Sequence, residues 1–191
     1  MYFSLTNSEK ILEVNSPLYS PLEIDDSLVF CSFNGEVIRF SEGQLKLFSK
    51  VNGQVRGVAH DPAKNCYYLT DMLRQSIISL GASDAAETEL VNEYEGAPLV
   101  GPHSLIVSNH SGNIFFTDCG AFGDNQPPNP HGSLFVIDMQ QQSIRSIALR
   151  SLSSPTGLAF SHDEKLIYIS ETGKNRILRF YESKEGIYYM R

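Results

Sequence analysis

Tryptophan is absent from the 191 residues, and the three cysteines, Cys31, Cys66 and Cys119, show no CxxC spacing. An odd, widely spaced set is not a disulfide framework, so the chain has to close its own core; Cys31 and Cys66, inside apolar runs, read as small buried hydrophobes. No apolar run approaches the roughly 20 residues of a membrane-spanning helix. The first ten residues, MYFSLTNSEK, have neither the basic nor the apolar region of a secretion leader. The expected compartment is therefore the cytoplasm, unless an upstream segment has been lost. Basic clusters are missing as well. With 22 acidic against 15 basic side chains the formal net charge is −7, which argues against nucleic acid or an anionic membrane as a partner. Helical periodicity is lacking, and the one short stretch that could carry it, 82–90, reads better as a loop entering a strand. The compact catalytic signatures are also absent: no P-loop, no GxGxxG after a strand, no GxSxG elbow, no HExxH and no EF-hand loop.

What is present is repetition. Residues 154–181, SPTGLAFSHDEKLIYISETGKNRILRFY, form short β-rich runs separated by turn residues. The pattern returns as GPHSLIVS at 101–108 with NIFFTD at 113–118, and as VRGVAHDP at 55–62 with YYLTD at 67–71. A weaker copy is SLVFCS at 27–32 with GEVIRF at 35–40. The acid that closes the second run falls at Asp71, Asp118 and Glu171, spaced 47 and 53 residues apart. A period of roughly 40–50 residues carrying about four strands is the signature of propeller blades.

The expected fold is all-β, a single β-propeller domain of four-stranded antiparallel blades at about 17–48, 54–94, 101–150 and 154–191, preceded by a half-blade over 1–14. In blade one the strands are expected at 20–25, 27–33, 35–40 and 44–48, and the outer strand of blade two at 89–94. No spare inner strand remains to complete the half-blade, and open sheet edges are a liability. The chain is therefore expected to be part of a larger, six-bladed ring, with a five-bladed ring or an open arc as alternatives.

In such a meander the starts of the first strands, the ends of the second strands and the loop joining strands two and three all open on one face. That face gathers Arg56, His103 and Thr156, then Asp71, Asp118 and Glu171, and the proline-rich loop CGAFGDNQPPNPH at 119–131 with Asp124 and His131. Each has two readings. The recurring carboxylates either bond turn amides within their blades or face a ligand. His103 is a metal ligand, a general base or a hydrogen-bonded lining residue. Arg56 suits an anionic ligand or pairs with a neighbouring acid. Asp124 and His131 either reach the mouth or are solvated. Cys119 has no nucleophile signature around it.

These phrases resemble the senescence-marker-protein (regucalcin)/gluconolactonase superfamily of six-bladed propellers, with strictosidine-synthase-like features. The resemblance is carried by PTGLAFS at 155–161 with YISET at 168–172, and by GNIFFTD at 112–118 leading to GSLFVID at 132–138. Residues 171–180 are similar to an NHL repeat. The resemblance implies a central calcium or zinc ion that polarises a lactone or ester carbonyl and activates water. His103 and Asp118 would then be catalytic, His103 also a metal ligand, and Arg56, Thr156, Glu171, Asp124 and His131 would line the ligand site. The superfamily takes its metal ligands from Asn, Asp and Glu at the first-strand starts, where this chain has Thr156, His103, Arg56 and, at the glutamate position, Tyr19. The expected function is a lactone or ester hydrolase of this type; the alternative is a non-catalytic propeller that binds a small molecule or a protein partner on the same face.

Overall fold

The computed structural model describes residues 10, 13–121, 130–184 and 186–190. The half-blade expected over 1–14 falls, apart from residues 10, 13 and 14, outside the described residues. Four sheets of four antiparallel strands follow one another, each in simple meander order. Blade one holds β1 (Leu18–Ile24), β2 (Ser27–Ser32), β3 (Glu36–Ser41) and β4 (Gln44–Lys50). Blade two holds β5 (Val55–Asp61), β6 (Cys66–Asp71), β7 (Ser76–Gly81) and β8 (Glu87–Val91). A small ladder, β9 (Glu93–Tyr94) with β10 (Ala97–Pro98), leads to blade three: β11 (Pro102–Val107), β12 (Ile114–Asp118), β13 (Gly132–Asp138) and β14 (Ser143–Leu152). Blade four holds β15 (Pro155–Phe160), β16 (Leu166–Glu171), β17 (Arg176–Lys184) and β18 (Ile187–Met190).

The hairpins follow from local chemistry. Asp25 and Asp26, and again Glu42 and Gly43, take positive φ as the two central residues between paired strands. That is the primed geometry whose twist matches a tight hairpin. The outer strand of blade two differs from its expected position. It ends at Val91, because Glu95 and Gly96 (φ 52° and 76°) turn the chain back and pair Tyr94 with Ala97. Tyr94 is thereby carried across to blade three, where its ring lies 5.2 Å from Phe135 and its hydroxyl 3.2 Å from Ser146 Oγ.

The core lies between blades. Alternate residues of a strand point to opposite faces, and in the two middle blades both faces are covered. On β6, Tyr67 and Leu69 pack with Val29, Cys31 and Val37 of blade one, while Cys66 and Tyr68 pack with Ile114, Phe116 and Phe135 of blade three. Phe115 and Leu134 face Ile167, Ile169 and Phe180 of blade four. This is why the second strands read as unbroken apolar runs rather than as alternation. The first strands β1, β5, β11 and β15 pack side by side in chain order and line the centre, and the outer strands are mostly exposed.

A polar staple ties blades three and four at the far face. Glu164 accepts from Ser108 Oγ (2.7 Å) and the Asn109 amide (2.9 Å), and its Oε2 lies 3.0 Å from His110 Nδ1. Partial burial opposes ionisation of Glu164, but the hydrogen bonds from His110, Ser108 and Asn109 outweigh it and pull the carboxyl from its ordinary 4.5 down to about 2. A carboxyl depressed on folding stabilises above its unfolded value and loses that contribution as the pH falls through the folded one. The urea midpoint advantage of the wild type over Glu164→Gln is expected to be full at pH 7 and to shrink steadily below about pH 4.5; an advantage that stays constant down to pH 3 would refute the staple.

Candidate functional site

Register builds the site. Val55 pairs with Asp71, Pro102 with Asp118 and Pro155 with Glu171, so the start of each first strand meets the acid that ends the second. Immediately after each of these pairs the register shifts: between Val55 and Gly57, between Pro102 and Leu105, and between Pro155 and Gly157. A bulge re-aims the side chains it contains, and the residues inside these bulges are Arg56, His103 with Ser104, and Thr156. Blade one shifts likewise just after Tyr19. At Gly57 the inner strands come so close that an added Cβ would meet the His103 carbonyl at 2.9 Å. Thr70 Oγ1 donates to that same carbonyl (2.9 Å) and fixes β11 against blade two.

Tyr19, Arg56, His103 and Thr156 consequently stand at the same end of neighbouring first strands. The Arg56 guanidinium carbon lies 4.5 Å from the centre of the Tyr19 ring and 4.8 Å from that of Phe33. Arg56 forms no ion pair among the described residues, and its Nε is enclosed without a hydrogen-bond partner. His103 is next in line. Burial first, and the positive charge of Arg56 second, push its pKa below the ordinary value, against a weaker upward pull from a hydrogen bond to the Thr156 backbone. The imidazole is therefore neutral at physiological pH, with Nδ1 enclosed and unpartnered. The Thr156 hydroxyl hydrogen-bonds that of Thr172.

The carboxylates point elsewhere. Asp71 Oδ1 accepts from the amides of Gln54, Leu73 and Arg74, and Oδ2 from Arg74 Nε at 2.7 Å. Asp118 accepts from the amides of Val100, Gly101 and Gly120 at 2.8–2.9 Å. Glu171 accepts from the Ser153 amide and pairs with Arg176 and Lys174. Although burial opposes it, those partners hold Glu171 below the usual carboxylate range. Each acid ties the preceding inter-blade connection to the turn that follows its own strand, which is why it recurs. His131 is exposed and lines a cavity of about 250 Å³ with Val100, Gly120, Ala121 and Arg150, apart from Arg56 and His103. Asp124 lies outside the described residues. The three thiols are free and buried; burial raises Cys31 to about 12 and, with the Asp118 charge, Cys119 to about 11, so neither is a thiolate at neutral pH.

Phe33 and Thr172 escaped the reading of the sequence. They occupy the same place in their blades, directly after the end of the second strand (Ser32 in β2, Glu171 in β16). Aligning the repeats at that residue, rather than at the acid before it, is the signal that would have found them.

The profile of the SMP-30/Gluconolactonase/LRE-like region matches residues 106–188. A lactonase, drp35, from Staphylococcus haemolyticus is 26% identical over 82 residues, which are 43% of this chain and 24% of that protein. Strictosidine synthase from Catharanthus roseus is 20% identical over 137 residues, 68% of this chain and 39% of that protein. The solved structure of a gluconolactonase from Xanthomonas campestris superposes with a TM-score of 0.80 at 26% identity, over 95% of this chain and 63% of the other. The chain thus spans less than two thirds of the length of these relatives. Repeat register, blade topology and these comparisons converge on one conclusion: the chain has an SMP-30/gluconolactonase-like β-propeller fold, of which four blades are described.

Proposed function

We propose that this propeller binds a small molecule at its central mouth without a resident divalent metal. The observation that carries the reading is the identity of the four central side chains. Tyr19, Arg56, His103 and Thr156 offer an aromatic ring, a guanidinium, one neutral imidazole and a hydroxyl, while Asp71, Asp118 and Glu171 are engaged by backbone amides and basic side chains. Calcium takes six to eight oxygen ligands and zinc three or four nitrogen, sulfur or oxygen ligands. Among the described residues no group of three His, Cys, Asp or Glu comes together to hold a metal ion. A fixed guanidinium at the centre repels a dication. The residues described do not fit the ion that the fold family implies.

Lactone or ester hydrolysis with a divalent metal is the second reading, favoured by the likeness to a lactonase and a gluconolactonase. His103 would serve it as the base, since a neutral imidazole can accept a proton from water. Calorimetric titration with calcium and zinc separates the two. No stoichiometric binding is expected for the wild type or for His103→Ala. Stoichiometric binding that His103→Ala abolishes would replace the metal-free reading with a metal-dependent hydrolase.

A further inference from the structure

We infer that the central mouth recognises a carboxylate and that the Arg56 guanidinium is its anchor. The inference rests on the small-molecule reading above and narrows it to a class of ligand.

Arg56 is a cation without a counter-ion among the described residues. Among the described residues, the acids that end the second strands are committed elsewhere: Asp71 to Arg74, Glu171 to Arg176 and Lys174, and Asp118 to three amides. In a chain of net charge −7 the uncompensated charge that the described residues bring to the centre is therefore positive. The guanidinium is also held. Tyr19 and Phe33 approach it to 4.5 and 4.8 Å, close enough for cation–π attraction, which restricts the rotamer freedom a free arginine would lose on binding. A guanidinium held by aromatic rings keeps its in-plane N–H fork for a partner, and a planar carboxylate accepts two parallel bonds from that fork. His103 supplies no competing negative charge, because its ring is neutral.

There is room for the body of such a molecule. Phe33 is shared between Arg56 and an open basin of about 560 Å³ on the same face, lined also by Lys50, Val51, Gln54 and Leu73. Leu73 is 61% exposed, an apolar surface directed at solvent. Volumes of about 300–1,000 Å³ are typical of small-molecule sites. The ligand that fits is an organic acid with its carboxylate on Arg56 and an apolar portion against Phe33 and Leu73.

The test compares isosteric pairs, benzoate with benzamide and phenylacetate with phenylacetamide, titrated into the whole chain and into each variant while the backbone amide resonances of Tyr19, Phe33 and Leu73 are followed by NMR. The acids are expected to bind at least about 10-fold more tightly than the amides. Arg56→Gln is expected to abolish that difference and Arg56→Lys to keep part of it, since a point charge replaces the fork. Lys165→Gln, on the opposite face, is expected to leave it unchanged. Acids and amides binding equally would overturn the inference while the small-molecule reading survives. No shift with any probe would overturn both. Should Arg56→Gln fail to fold, the acid–amide ratio of the wild type and the Arg56→Lys titration decide.

Discussion

Asp118→Ala is expected to lower the unfolding free energy by about 3–5 kcal/mol, with a matching fall in the urea midpoint at unchanged slope. Asp118 is 5% exposed, and its carboxylate accepts three amide bonds, from Val100, Gly101 and Gly120. Alanine removes the acceptor and leaves three donors behind. Each buried donor without a partner costs about 1–3 kcal/mol; Val100 lies near the surface and regains water, which sets the lower end of the range. Asp118→Asn keeps one acceptor oxygen and is expected to lose less. Asp163, in an exposed turn of the far face, is the control: its alanine variant is expected to change stability by no more than about 0.5 kcal/mol. A side chain whose sole role was catalysis would leave the midpoint where it is, so an unchanged midpoint for Asp118→Ala would sink the structural account.

Phe116→Ala is expected to be at least as damaging, at about 3–5 kcal/mol. Phe116 is fully buried between blades two and three and stacks on Phe135 with centroids 5.2 Å apart. The cavity would open in the seam between two sheets rather than inside one. Each sheet is pinned by its own ladder, so the walls cannot collapse inward, and unrelaxed cavities carry the larger penalties. The contrast is Leu47→Ala on the outer strand β4, where the side chain is 59% exposed and the change is expected to stay within about 0.5 kcal/mol. Equal effects of the two variants in urea melts would mean that the seams between blades are not the core.

Stability and site are linked through the same few residues. The bulges that turn Arg56, His103 and Thr156 to the centre lie next to the pairs anchored by Asp71, Asp118 and Glu171. Carboxylates that hold the backbone in this way are lost as ligands for a cation. The repeat therefore supplies a rigid rim and leaves the chemistry of the mouth to one residue per blade. In this chain those residues are an arginine, a histidine, a threonine and a tyrosine, a set suited to holding an organic anion.

The blades were legible from the amino-acid order. Period, turn residues and the acid after each second run are local properties, and β6, β12 and β16 begin and end within a residue or two of the runs that announced them. The outer strand of blade two, expected at 89–94, instead spans Glu87–Val91, because Glu95 and Gly96 turn the chain back and Tyr94 pairs with Ala97 and packs on Phe135 of blade three. That the mouth gathers Arg56, His103 and Thr156 followed from meander topology, which the repeat already dictates. Which readings of those residues apply did not follow. Arg56 meets Tyr19 and Phe33 of blade one instead of an acid, and Asp118 meets the chain at Val100 and Gly101, contacts between segments 17 to 37 residues apart. Sequence alone determined the repeat, the strand pattern and the face on which the first-strand starts gather, because those depend on neighbours along the chain. Only the tertiary structure decided which polar groups are already satisfied and which remain to meet a ligand, because hydrogen-bond partners and burial are set by packing across blades.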